Sequence, residues 1–387
     1  MMKSDAFIEK PLLLMVAGAK GAVASTLAAA VAALQDNSNQ ILPYLTTGQK
    51  FNAQLPLSKT QFAGWDTNGT SMSNAVACQG VLPQHVCEKF GDALSRQMIK
   101  EAPPASLPFR EQVDILIQDI QAFKAANPEA AAVLVNLLPA GKSSGLQGCE
   151  SLDDVFQKAG TDTLPDLAYV LAAIMTGAPV VNFTPNDVEL PIFIEEARKR
   201  SVPVAGRDGK TGQTYFKVVL ASALKARRFN IDGWYSLNIL GNADGMNLMD
   251  PDRAAGKVAN KTELLDEILG YPVGERYGTS SHKVHIDYYP PRGDSKEAWD
   301  VIDFRGLFDL PMSIRLNLQG RDSILAAPLA IDLGRWLAVA QAAGRAGFVP
   351  ELGFYFKKPL GQPAPLTFED QVSALQRLEK FCIEALG

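Results

Sequence analysis

The chain has 387 residues, 47% hydrophobic and 20% charged, an ordinary globular composition long enough for two domains or for one large domain with an insertion. Its formal net charge of −5 speaks against a nucleic-acid partner, which would leave a basic footprint. Cys78, Cys87, Cys149 and Cys382 form no CxxC pair and only three histidines are present, so no metal site is expected and the thiols read as reduced cysteines of a cytoplasmic protein.

Residues 11–34 are largely apolar, but Lys20 interrupts them, and the stretch from Gly21 to Leu34 is shorter than the ~20 residues a membrane span needs. No membrane partner is expected. Leu12 to Ala17 reads as a buried parallel strand, followed by the small-residue turn Gly18-Ala-Lys-Gly21-Ala-Val-Ala24-Ser25-Thr26 and an alanine-rich helix to about Leu34. Strand, turn and helix together open a dinucleotide-binding βαβ unit, in which pyrophosphate approaches the backbone at the helix N-terminus. Set against G-x-G-G-x-x-G, Lys20 stands at the second glycine and Ala24 at the last.

A second strand is expected at Ile41 to Leu45, with no acidic residue closing it. Residues 60–76 read as a polar loop, in which Asp66 could bind the adenosine ribose or cap the turn before the next helix. Glu111 to Ala126 has helical apolar spacing; Ala131 to Leu138 and Val180 to Phe183 are apolar runs that end in Pro139-Ala140-Gly141-Lys142-Ser143-Ser144 and Thr184-Pro185-Asn186. Such strand ends are where an open α/β sheet places ligands. A helix from Pro191 to Arg200 and a short strand at Val202 to Ala205 complete an alternation that predicts a Rossmann-type, doubly wound parallel sheet.

Residues 206–245 change the texture. The turn at Asp208, Lys210, Thr211, Gly212 and Gln213 leads into a helix that Thr211 is placed to cap; its N–H groups and Lys210 would suit a phosphate. A strand-like run then breaks at Gly241-Asn242-Ala243-Asp244-Gly245. Asp250-Pro251 is expected to open a helix carrying Lys257 and Lys261 on one face. His282 to Tyr289 alternates like a half-exposed antiparallel strand, and the turn through Asp294 is expected to start a helix carrying Lys296. Strands at Trp299 to Phe308 and Met312 to Leu318, a long helix from about Ser323 to Ala343, the Lys357 segment and a final helix from about Phe368 to Leu386 follow. Lysines and carboxylates on turns (Asp208, Lys210, Asp244, Lys257, Lys261, Asp294, Lys296, Asp322 and Lys357) are the chemically capable groups, able to stabilise oxyanions or move protons beside a phosphate.

These residues resemble one family. GRDGKTGQT is similar to the G-D-D-x-K-S-G-Q-T loop of the myo-inositol-1-phosphate synthases, LGNADG to L-G-N-N-D-G, Lys257-x-x-x-Lys261 to the family's paired lysines, GDSKEAWD to D-S-K-R-A-x-D, and RDSILAAPLAIDL to E-D-S-L-L-A-A-P-I-x-L-D-L. Departures are Ala243 for an amide, Arg321 for an acid, Lys358 for a small residue and Lys20 for a glycine. The resemblance implies an NAD-dependent isomerase of inositol and phospholipid biosynthesis that cyclises D-glucose 6-phosphate to 1D-myo-inositol 3-phosphate. Hydride leaves C5, the enolate at C6 attacks the C1 aldehyde, and the ketone is reduced again. A related cyclitol cyclase or a net NAD-linked sugar-phosphate dehydrogenase is the alternative. It implies Lys257, Lys261, Lys296, Lys357, Asp208 and Asp322 as catalytic groups, and Lys210, Thr211, Gly212, Gln213, Asn242 and Asp294 as substrate ligands. Gly18, Gly21, Ser25, Thr26, Asp66, Asp244 and Ser323 would hold NAD. Domains at 1–205 with 324–387, for NAD, and at 206–323, an inserted α+β unit for catalysis and tetramerisation, are expected, with a sugar phosphate as partner and a homotetramer as the assembly.

Overall fold

The computed structural model describes residues 9–36, 41, 44–48, 50–142, 145–250 and 264–387, and of residue 244 the backbone alone. Its strands are β1 (Leu12–Ala17), β2 (Gln61–Asp66), β3 (Met98–Glu101), β4 (Ala131–Asn136), β5 (Val180–Asn182), β6 (Pro203–Ala205), β7 (Asn230–Leu240), β8 (His282–Tyr288), β9 (Ser295–Arg305), β10 (Pro311–Arg321) and β11 (Gly347–Phe348). Seven of them form one parallel sheet in the order β11-β6-β5-β4-β1-β2-β3. Apart from β11, that is the 3-2-1-4-5-6 order of the Rossmann fold, with its switch point between β1 and β4.

The sequence of β1 explains why it sits at the centre. Leu12, Leu14 and Val16 join a core shared with the Ala22–Gln35 and Asp322–Ala342 helices, while Leu13, Met15 and Ala17 join a core built with the Phe109–Ala126 and Asp166–Met175 helices. Alternate side chains therefore meet helices on opposite faces, and no polar position is tolerated between them. The Asp322–Ala342 helix is long and apolar enough to cross a membrane by composition, yet it is mostly buried here. Its Gly334 lies so close to β1 that a Cβ would stand 2.4 Å from Leu14 Cδ2.

A second sheet has the order β10-β9-β7-β8. Its inner face packs Trp234, Ile302 and Phe304 against Val218, Ala221 and Leu224 of the Gln213–Ala226 helix.

Four local expectations are corrected. Residues 41 and 44–48 form no strand; Pro43 there could not donate to a ladder. The second strand is instead β2, inside the segment read as a loop, so that Asp66 does close it. Lys296 lies on a strand and not on a helix, because Ala298, Asp300, Ile302 and Phe304 form a period-two buried face between β7 and β10. Strand β8 alternates as expected but pairs parallel to β7, the long connection from 241 to 281 bringing the chain back to the same end. Finally, Thr211 does not cap the Gln213–Ala226 helix: Gly212 occupies the cap position, without a side-chain bond. The expected helix after Asp250, with Lys257 and Lys261, lies outside the described residues.

Candidate active site

A cavity of about 880 Å³ opens beyond the carboxyl ends of β1 and β4, at the switch point of the large sheet. One wall is the turn Gly21–Ala24 with Leu137–Ala140 after β4; the other carries Asn238 and Leu240 of β7 with Asn242, and the first turn of the Gln213–Ala226 helix closes one end. Asn247 Nδ2 donates to Ala140 O at 3.3 Å, tying the segment after β7 to the large sheet.

Two lysine–carboxylate pairs face this space. Lys357 Nζ donates to Asp208 Oδ1 at 2.6 Å, and both residues are buried. Their segments run as a short antiparallel ribbon: Lys357 N bonds Asp208 O at 2.8 Å, Arg207 N bonds Lys358 O at 2.8 Å, and Gly209 bridges Phe356. Lys296, opposite Gly320 in the β9–β10 ladder, donates to Asp322 Oδ2 at 3.1 Å, while the Thr211 hydroxyl takes Asp322 Oδ1 at 3.1 Å. Thr211 is therefore spent on the carboxylate rather than on the helix end.

Asp294 accepts from Ser323 Oγ at 2.9 Å and from Asn242 Nδ2 at 3.4 Å; burial holds its carboxyl above the usual range. The loop that carries it is clasped by Gly241, where a Cβ would stand 2.3 Å from Gly293 N and 2.6 Å from Tyr289 O. Only glycine fits that crossing.

The cavity thus brings together Gly21, Asp208, Thr211, Gly212, Gln213, Asn242, Asp294, Lys296, Asp322, Ser323 and Lys357. Others expected there stand apart. Ser25 and Thr26 are buried within their helix, their hydroxyls donating to Lys20 O and Ala22 O. Gly18 makes the tight turn after β1 with φ +78°, and Asp66 accepts from Lys20 N at 2.8 Å and Asn68 N at 2.9 Å just beyond it. Asp244 is described by its backbone in the short Ala243–Asn247 helix alone, and Lys257 and Lys261 not at all. Sequence reasoning missed Asn238 and Gln79, which line the cavity; alternation along β7 from Trp234 was the signal for Asn238.

Lys210 is a correction. Its ammonium points away from the cavity into the protein, donating to Gln371 Oε1 at 2.6 Å and Gly353 O at 3.4 Å. Burial pulls it down to about 7 from an ordinary 10.5. Between those values the unfolded chain holds a proton that the folded chain does not, so this group makes folding more favourable as pH rises and disfavours it as pH falls towards 7. Urea melts are expected to show the wild type gaining on Lys210→Met as pH climbs from 7 to 9; parallel stability curves would contradict this.

Strand order and cavity together define a Rossmann-type α/β protein with a lysine-bearing cleft at the switch point of its large sheet. The family model of myo-inositol-1-phosphate synthase matches residues 212–323, and it is the family that the motifs resemble. Inositol-3-phosphate synthase 1 of Bacteroides thetaiotaomicron is 40% identical over 259 residues, covering 65% of this chain and 60% of that one. A probable isozyme 3 of inositol 3-phosphate synthase from Arabidopsis thaliana is 26% identical over 86% of this chain and 73% of its own. The chain thus spans about 60% of the length of its Bacteroides relative. Among solved structures, inositol-3-phosphate synthase of Caenorhabditis elegans superposes with a TM-score of 0.82 over 97% of this chain and 86% of that one, at 21% identity. A myo-inositol-1-phosphate synthase-related protein of Thermotoga maritima does so with 0.74 over 96% and 98%, also at 21%.

Proposed function

We propose that this protein is an NAD-dependent isomerase that cyclises D-glucose 6-phosphate to 1D-myo-inositol 3-phosphate. The observation that carries the reading is the convergence of two lysine–aspartate pairs and an uncapped helix N-terminus on one cavity at a dinucleotide switch point. In this reading the helix end with Asn242 and Lys296 receives the phosphate, the helix dipole favouring the anion. Lys357 and Lys296 sit beside the sugar oxygens and stabilise the negative charge of the ketone, enolate and alkoxide stages, with Asp208 and Asp322 fixing each ammonium. Lys257 and Lys261 complete the set by motif.

The turn at Gly18 and Gly21, with Asp66 closing β2, suits the pyrophosphate and the adenosine ribose of NAD. Bound there, NAD would take a hydride from C5 and give it back. Ser25, Thr26, Asp244 and Ser323 remain assigned to the cofactor by motif alone. Asp66→Ala is expected to weaken NAD binding by about 1 kcal/mol, roughly fivefold, read by calorimetry; unchanged affinity would remove Asp66 from the site.

We take residues 1–205 with 324–387 as the nucleotide-binding unit and 206–323 as the catalytic unit, in line with the split of strands between the two sheets. Exposed Tyr235 and Trp299 on the outer face of the smaller sheet suit contact with a second copy, in a cytoplasmic homotetramer. The named relatives do not favour a net dehydrogenase. Incubation with glucose 6-phosphate and trace NAD decides it: the isomerase makes many equivalents of inositol phosphate, whereas a dehydrogenase accumulates one NADH per turnover.

A further inference from the structure

Gln213 opens the helix at the end of the cavity, and its side chain is held from behind. Its Nε2 donates to Asp300 Oδ2 at 2.9 Å, with both residues buried. The other oxygen, Asp300 Oδ1, accepts from Trp234 Nε1 at 2.8 Å and from Ser236 Oγ at 2.5 Å, Ser236 lying directly opposite on β7. Lys217, one turn along the same helix as Gln213, donates to Ser236 Oγ at 3.1 Å and lies 2.7 Å from His282 Nε2. The Asp300 carboxylate thus accepts from three donors, Gln213, Trp234 and Ser236, and Lys217 stands one hydroxyl away.

An ionised carboxylate only accepts, so it admits the nitrogen of the Gln213 amide and turns the oxygen to the opposite edge. The dianion of a phosphate ester also only accepts and gains nothing from that oxygen; a sugar hydroxyl can donate to it. We propose that Asp300 is a positioning residue that fixes Gln213 as a hydrogen-bond acceptor, so that this side chain reads a hydroxyl of the sugar chain while the phosphate is left to the helix N–H groups and Lys296. The inference rests on the sugar-phosphate reading above and assigns Gln213 a different part of the same substrate.

The test is Asp300→Asn. The Trp234 indole still requires an acceptor, so the new amide turns its oxygen to Trp234 and its nitrogen to Gln213, which must then flip and present its own nitrogen to the cavity. Calorimetry and kinetics are expected to show the Kd and KM for glucose 6-phosphate rising about 10- to 100-fold, the scale of a mismatched polar contact, with the Kd for inorganic phosphate unchanged. The double variant Gln213→Glu/Asp300→Asn restores an acceptor facing the cavity and a donor behind it, and is expected to recover part of the lost affinity; should the single variant not fold, this one carries the test. A double variant weaker than the single one, a parallel loss of phosphate binding, or an Asp300→Asn protein equal to wild type would overturn the inference alone. Wild-type protein that neither binds nor converts glucose 6-phosphate would overturn the functional reading, and this inference with it.

Discussion

Lys296→Ala is expected to reduce turnover of glucose 6-phosphate by about 10²- to 10⁴-fold and to raise its Kd, with the fold intact. Lys296 stands on β9 with its ammonium 3.1 Å from Asp322, and neither group is deeply enclosed: their side chains are 12% and 28% exposed. Asp322 keeps the Thr211 hydroxyl when the amine is gone, and water can reach it, so the stability cost should stay near that of a partly exposed pair, about 1 kcal/mol or less. Catalysis has no such substitute. The same ammonium would neutralise the substrate phosphate and the oxygen nearest the bond being made, and a water molecule brings neither charge nor a fixed position. Lys296→Arg separates the two duties: binding should be largely kept and turnover lost, because the planar guanidinium cannot occupy the point at which the compact amine acts. Wild-type turnover in Lys296→Ala would remove this residue from the chemistry.

The large sheet was legible because its strands carry the constraint of double burial in their own composition. Leu12 to Ala17 and Ala131 to Asn136 admit no polar side chain until their carboxyl ends, so both strands and the ends that frame the cavity could be read directly. Gln61–Asp66 could not: its glycine and polar termini suggest a loop, and only its neighbour explains them. A Cβ on Gly64 would stand 2.3 Å from Val16 O. The glycine is there to let two strands and the turn after β1 crowd together, a requirement set by β1 and not by local propensity.

Motif identity found Lys296 and Lys357 without revealing the surroundings of either. The helix expected around Lys296 failed because the period-two face of β9 becomes visible only with β7 and β10 on both sides. Lys210 failed differently. It sits in the motif between Asp208 and Thr211, both of which line the cavity, but turns to the other side of the ribbon, towards Gln371 on the Phe368–Leu386 helix. Which side of a loop a side chain takes depends on a partner 161 residues away, and local sequence carries no trace of it.

Lys357 and Asp208 are 149 residues apart, and breaking their pair should have a large effect on stability. Both are nearly enclosed, at 8% and 2% exposure, so Lys357→Met would leave a carboxylate buried without its ammonium. Breaking such a pair costs about 3–5 kcal/mol, most of it the uncompensated charge. Asp208→Asn added to Lys357→Met removes that charge, and asparagine accepts the φ of +62° found at this position, so the double variant should recover most of the lost stability in urea melts. In the proposed mechanism activity should not return, because the amine it assigns to the sugar oxygens is absent in both. The separation is the point of the experiment: a pair that only fastens the ribbon would regain turnover together with stability, whereas a pair whose ammonium acts on the substrate regains stability alone. A double variant as unstable as Lys357→Met would mean that the ribbon's backbone bonds, and not the ion pair, hold these two segments together.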